Sequence, residues 1–220
     1  MAKPAQAVQG VLFDWDGTLL DSYHADTQAY LEMFRVLGVD WGVEQLNRHY
    51  SPNWHRVYRA AGIPRADWAR ADRLWGRHYA RLRLELLPGA RRVLRVLGRR
   101  YALGLVTSGN RARVVRQLRL FRFMSVFATR VCAEDVTRRK PHPAPLREGL
   151  RRLRLAPEVC VYVGDTPEDM EMARRAGVRA VAVLGPFPTH DRLRASRPLA
   201  LLESIRELPA LLASLDGSKS

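Results

Sequence analysis

Val8-Gln9-Gly10-Val11-Leu12-Phe13-Asp14-Trp15-Asp16-Gly17-Thr18 is the stretch on which the reading of this chain turns. Its first half is apolar and rich in β-branched residues, the signature of a buried strand. The strand runs into Asp14, and Gly17 permits the sharp turn that follows. Two carboxylates two residues apart at the mouth of such a strand, Asp14 and Asp16, are poorly explained by folding alone. A helix cap needs one acceptor, and close carboxylates repel unless a cation or a shared proton lies between them. A hard divalent cation answers this, and an oxygen-only donor set with phosphate nearby favours Mg²⁺ over zinc.

Outward from this strand, residues 22–85 read as about four helices with no strand, broken at Gly38-Val39-Asp40, Ser51-Pro52-Asn53 and Gly62-Ile63-Pro64. The pattern then alternates. Helices are expected over about 89–100, 111–120, from Pro143 onward, 167–176 and 204–215. Strands are expected over Tyr101–Val106, Val126–Cys132, Val159–Val163 and 178–184, with a short apolar segment at Pro198–Leu202. Alternating strands and helices imply a parallel α/β sheet, whose ligands bind at the carboxyl ends of the strands.

Polar residues gather at those ends. Thr107 follows Leu103-Gly104-Leu105-Val106 and offers a hydroxyl, while Ser108 and Gly109 offer amide N–H groups for phosphate oxygens. Gly164-Asp165-Thr166-Pro167-Glu168-Asp169 supplies carboxylates at another strand end, where Asp169 also stands in position to cap the helix beginning near Pro167.

The chain has 220 residues, 47% of them hydrophobic, enough to bury a sizeable core, and a net charge of +15. Of its 37 basic residues only Lys3, Lys140 and Lys219 are lysines; the other 34 are arginines spread along every expected helix, a compositional habit rather than a binding patch. Lys3 and Lys219 are expected in terminal tails. Lys140, before Pro141-His142-Pro143, is then the single interior lysine, a compact point charge suited to contact a carboxylate and a phosphoryl oxygen together. Cys132 and Cys160 lack metal-ligand spacing and read as buried core thiols. No run of about 18 apolar residues and no leader-like N-terminus is present, so a cytoplasmic, non-membrane protein is expected.

Taken in order, Asp14-x-Asp16-Gly17-Thr18, Thr107 after its strand, Lys140-Pro141-x-Pro143 and Gly164-Asp165-x-x-x-Asp169 resemble the four motifs of the haloacid dehalogenase superfamily of phosphohydrolases, and within it the phosphoglycolate-phosphatase-like members. The likeness spans nearly the whole chain. It implies a Rossmann-like parallel-sheet core, residues 1–20 and 86–220, with a small helical cap domain, 21–85, inserted after the first strand. It implies Asp14 as nucleophile and Asp16 as acid/base, with Thr107, Ser108 and Lys140 as phosphate contacts. Mg²⁺ would be held by Asp14, the backbone carbonyl of Asp16, Asp165 and Asp169, and the substrate would be a small phosphorylated metabolite.

Rival chemistries separate on single residues. Phosphonate hydrolysis through a Schiff base needs a cap lysine, and none lies between Lys3 and Lys140. The metal-free dehalogenases do not have a second Asp such as Asp16. A sugar-phosphate mutase would carry a histidine where Asp26 stands, with His24 nearby. The +15 charge motivates a nucleic-acid-binding alternative, which has no need for Asp14 and Asp16 together. Substrate selection is expected in the cap, at His49, Tyr50, Asn53, His55 and Arg56 around the Ser51-Pro52 break. Trp41, Trp54, Trp68 and Trp75 serve either as cap core or as pocket wall.

Overall fold

The computed structural model describes residues 7–217; Lys3 and Lys219 lie outside the described residues. Six parallel strands form the central sheet: β1 (Gly10–Phe13), β4 (Ala102–Val106), β5 (Thr129–Val131), β6 (Cys160–Gly164), β7 (Arg179–Val183) and β8 (Ala200–Leu202). Their order is β5-β4-β1-β6-β7-β8. β1 therefore pairs with β4 on one side, Phe13 beside Leu105, and with β6 on the other, Phe13 beside Val163. Strand order reverses across β1, the place where an open α/β sheet leaves a crevice at its carboxyl edge.

The unbroken apolar runs are explained by burial on both faces. Along β1, Val11 and Phe13 pack into one core with α5 (Ala90–Leu97) and α10 (Leu208–Gly217). Leu12 points the other way, against α7 (Ala144–Leu153) and α8 (Pro167–Ala176). A fifth helix packed on the sheet, α6 (Arg111–Leu120), begins at Asn110, whose side chain accepts the Arg113 N–H at 2.9 Å. It reaches the β1 turn through Gln117, whose Oε1 accepts the indole N–H of the fully buried Trp15 at 2.9 Å.

Between β1 and α5 lie α1 (Tyr23–Leu37), α2 (Val43–His49), α3 (Trp54–Ala60) and α4 (Trp68–Tyr79), separated at the three breaks the sequence marks. They share their own apolar cluster around Met33, Phe34, Val57 and Tyr58. The expectation of no strand in this region needs one correction. β2 (Leu20–Asp21) pairs antiparallel with β3 (Glu85–Leu86), tying the two ends of the helical segment together. Two residues per strand leave no periodicity for a sequence pattern to reveal.

Three further differences follow the same logic. β5 spans three residues rather than seven, because residues up to Val126 form a turn, the Val126 N–H bonding the Phe123 carbonyl, and Cys132 already caps a 3₁₀ turn. A short helix, α9 (His190–Ala195), occupies a stretch the sequence left unassigned; only Leu193 along it is buried. The apolar segment before Leu202 is the edge strand β8. Cys132 and Cys160 are buried and unbridged, and burial pushes both thiols up to about 11. Among the described residues, no helix is long and apolar enough to cross a membrane.

Candidate active site

The carboxyl ends of β1, β4 and β6 bring the candidate residues to one place. Asp14 leaves β1 with its N–H bonded to the Val163 carbonyl, and Thr107 leaves β4 bonded to that of Val131. Lys140, 1% exposed, donates 2.7 Å bonds to Asp14 Oδ1 and Asp169 Oδ1. Carboxylate oxygens of Asp14, Asp165 and Asp169 lie within 4.8 Å of one another.

Each acid is held differently. Asp169 caps α8 and faces the cluster at once: its Oδ2 accepts from the Thr166 N–H and hydroxyl, while its Oδ1 faces Lys140 and accepts the Tyr162 hydroxyl at 2.9 Å. Asp165 accepts from the Thr18 hydroxyl at 3.0 Å through Oδ1. Its buried Oδ2 has no partner. Burial, then the charges of Asp14 and Asp169, push Asp165 well above the usual carboxylate range. Asp14 is pushed up to about 7 by burial, with Lys140 opposing and Asp169 and Asp16 adding to the rise. Burial alone would lower Lys140, but Asp14 and Asp169 hold it above its ordinary value.

These features fit a divalent cation. The donors are all oxygen, one buried lone-pair carrier is orphaned, and the negative charge exceeds what Lys140 offsets. Gly17 guards the same space: its φ is +81°, and a Cβ there would stand 2.1 Å from Asp165 Oδ2. Only glycine combines that backbone with that clearance.

Asp16 is placed apart. Its side chain turns away from the three clustered acids and lies in the fork of Arg113, at 2.9 and 2.7 Å. Burial would raise its pKa, but the guanidinium holds it below the usual range. Arg113 also lies over the rings of Tyr79 and Trp75, 5.2 and 5.7 Å from their centroids. Nothing in the sequence singled it out among 34 arginines.

A cavity of about 350 Å³ opens above these residues. Asp14, Asp16, Thr107 and Ser108 line its floor, and Tyr30, Tyr50, Trp54, Tyr58 and Trp75 its aromatic wall. The Thr107 hydroxyl accepts the Gly109 N–H at 3.0 Å, and the buried Ser108 Oγ has no partner. All four tryptophans of the helical segment pack against its apolar cluster, and Trp54 and Trp75 line the cavity as well. Around the Ser51-Pro52 break, Tyr50, Ser51 and Pro52 line it; His49, Asn53, His55 and Arg56 do not. Lining residues outside the sequence reading include Tyr30, Tyr58 and Arg113, as well as Arg139, next to Lys140, and Phe187, stacked on Tyr50 at 4.5 Å.

The haloacid dehalogenase-like hydrolase family matches residues 11–183. Phosphoglycolate phosphatase of Escherichia coli K12 is 29% identical over 93% of this chain and 92% of its own length. Pyrophosphatase PpaX of Oceanobacillus iheyensis is 25% identical over 92% of this chain and 95% of its own. A variant of CbbY from Rhodobacter sphaeroides, solved in complex with xylulose-(1,5)bisphosphate, superposes with a TM-score of 0.76 at 25% identity, over 91% of this chain and 96% of that one. A match that runs from β1 to β7, together with relatives named as phosphatases, makes this chain a phosphohydrolase belonging to the haloacid dehalogenase-like hydrolases.

Proposed function

We propose that the chain is a Mg²⁺-dependent phosphatase that hydrolyses a small phosphate monoester through an aspartyl-phosphate on Asp14. The observation that carries this reading is the clustering of Asp14 with Asp165, Asp169 and the Lys140 that bridges Asp14 to Asp169, at the floor of a cavity sized for a metabolite. The helical segment 21–85 is then a cap, supplying most of the cavity's aromatic wall.

In the first half-reaction an Asp14 oxygen attacks phosphorus and the bond to the leaving oxygen breaks. Asp16 gives that oxygen a proton. In the second, water attacks the same phosphorus, Asp16 takes the water's proton, phosphate leaves and the Asp14 carboxylate returns. Lys140, Thr107 and Ser108 take up charge on the phosphoryl oxygens, worth about 10²–10³ in rate per well-placed donor. Asp14, Asp165, Asp169 and the Asp16 carbonyl would hold Mg²⁺, which when bound offsets the negative charge of phosphate and carboxylates together. The Asp16 carboxylate in the Arg113 fork is in the form that accepts a proton; donation requires that fork to open.

The test is phosphate release from an aryl phosphate with Mg²⁺, with chelator, and in Asp14→Asn. Turnover that needs both the metal and Asp14 is expected. Near-normal turnover by folded Asp14→Asn, or none on a broad panel of esters, overturns the reading.

A further inference from the structure

Two arginines line the cavity, and only one has its charge matched. Arg113 is held by Asp16. Arg139 makes no ion pair with any described residue. Its Nη1 lies 3.1 Å from His55 Nδ1, its guanidinium carbon 4.2 Å from the centre of the Trp54 ring, and its buried Nε has no partner. The Trp54 indole N–H is also buried without an acceptor.

Burial disfavours the Arg139 charge, the more distant charges of Asp72 and Glu134 partly oppose this, and its neighbours orient it without forming an ion pair. His55 stacks on Trp68 at 4.5 Å, and burial and the Arg139 charge hold it below its ordinary pKa, so a neutral ring accepts from the guanidinium. Asp72 accepts the Tyr58 hydroxyl at 2.9 Å, and Glu134 accepts the Arg111 N–H; neither pairs with Arg139. A guanidinium backed by an indole face and fixed at one edge presents its remaining N–H groups to a carboxylate or phosphate. Chain order helps: Lys140 is turned to Asp14, and the residue before it is turned to the far wall of the same cavity.

We infer that Arg139, stacked on Trp54 and held by His55, is the site for a second anionic group, so that the preferred substrates are phosphate esters whose alcohol part ends in a carboxylate or a second phosphate. The inference takes its first anion site, at Asp14 and Lys140, from the phosphatase reading. The second site stands on Arg139's own surroundings. An ester with a neutral end would leave the guanidinium without its partner in a partly desolvated wall, a cost that discriminates against it.

The test separates the two readings by measuring binding with non-hydrolysable probes. Methylphosphonate carries one anionic group, phosphonoacetate adds a carboxylate, and methylenediphosphonate adds a second phosphonate. Titration calorimetry with excess Mg²⁺ is expected to show wild-type protein binding at least one two-anion probe about tenfold or more tightly than methylphosphonate, as a charge-assisted contact would give. Arg139→Met, checked for folding by circular dichroism, should bring the ratio to within about twofold, and Arg139→Lys should leave it intermediate. Which two-anion probe gains more decides between carboxylate and phosphate. Equal affinities in wild type, or a ratio kept by folded Arg139→Met, overturn the inference. If Arg139→Met does not fold, the wild-type ratio and Arg139→Lys decide. A ratio without turnover on any ester sinks the phosphatase reading alone; turnover without a ratio sinks the second site alone.

Discussion

The guanidinium of Arg113 takes both oxygens of Asp16 in one fork, 2.9 Å to Oδ1 and 2.7 Å to Oδ2, and is itself held by a chain of hydrogen bonds reaching into the core. Its Nη1 also lies 3.4 Å from the Tyr79 hydroxyl, to which Gln117 donates at 3.3 Å, while Gln117 accepts from Trp15. Trp15 sits between Asp14 and Asp16 in sequence. The turn that carries both acids is therefore locked to α6 and α4 by one network, with Arg113 aiming Asp16, the acid/base group of the proposed mechanism.

Arg113→Met removes the aim without touching Asp14. We expect kcat to fall by at least about tenfold, since positioned acid–base catalysis contributes about 10²–10⁴. KM should change little. Arg113→Lys keeps the charge but not the fork and should recover only part of the loss. Steady-state kinetics of the three proteins on one ester decide it: a rise in KM at constant kcat would make Arg113 a substrate contact instead of a positioning residue.

Asp165 offers a test of the proposed metal site that does not depend on turnover. Burial beside Asp14 and Asp169 disfavours its charge. Asp165→Asn drops that charge and keeps an oxygen for the Thr18 hydroxyl. Without divalent metal, the variant should melt at or above the wild-type temperature. Added Mg²⁺ should raise the wild-type melting temperature, by the equivalent of about 2.7 kcal/mol at a hundredfold excess over Kd, and leave the variant flat. Parallel responses in scanning calorimetry would remove Asp165 from the metal site.

What the sequence made legible follows from what carries periodicity or isolation. β1, β4, β6 and β7 announce themselves as apolar runs because both faces of a parallel sheet are buried, and the breaks at Gly38, Pro52 and Gly62 fall between helices in the structure. Lys140 stood out as the one interior lysine. Arg113 and Arg139 did not, since nothing local distinguishes an arginine aimed into a cavity from the many on solvated faces such as Arg151 and Arg174, which pair with Glu148 and Glu171. Tyr162 reads as ordinary strand; only the fold puts its hydroxyl on Asp169. β2 and β3 were illegible because a ladder of two residues is written in the tertiary contact.

Asp135 anchors the loop that leads to Arg139 and Lys140. Its Oδ2 accepts the Cys132 N–H at 2.8 Å, and Oδ1 takes Arg152 and Arg111 at 2.6 Å each. Burial would raise its pKa, but these three donors hold it down to about 2. A depressed carboxyl stabilises the fold above its unfolded pKa of about 3.9 and loses that contribution as pH falls through the folded value. Asp135→Asn should cost about 2 kcal/mol at pH 7, with about half of the difference gone by pH 3. Urea melts at both pH values check this; a pH-independent difference would assign the loss to packing.

Glu168 joins the helical segment to the core. Its Oε1 accepts the Ser51 hydroxyl at 2.9 Å, with Arg56 at 3.9 Å, and Tyr50, next to Ser51, stacks on Phe187. These contacts hold the Ser51-Pro52 break over Asp14, closing one side of the cavity. If segment 21–85 is a cap, Glu168→Ala weakens its closed position without altering any group that meets phosphorus. A buried hydrogen bond to a charged acceptor is worth about 1.5–3 kcal/mol, so KM should rise by about tenfold or more. Glu168→Gln, which keeps an acceptor for Ser51, should lie nearer wild type. Limited proteolysis gives the independent readout: faster cleavage near residues 50–56 in Glu168→Ala, suppressed by added phosphonoacetate, is expected of a segment that opens. A rise in KM with no change in cleavage would place Glu168 at the substrate instead of at the closure.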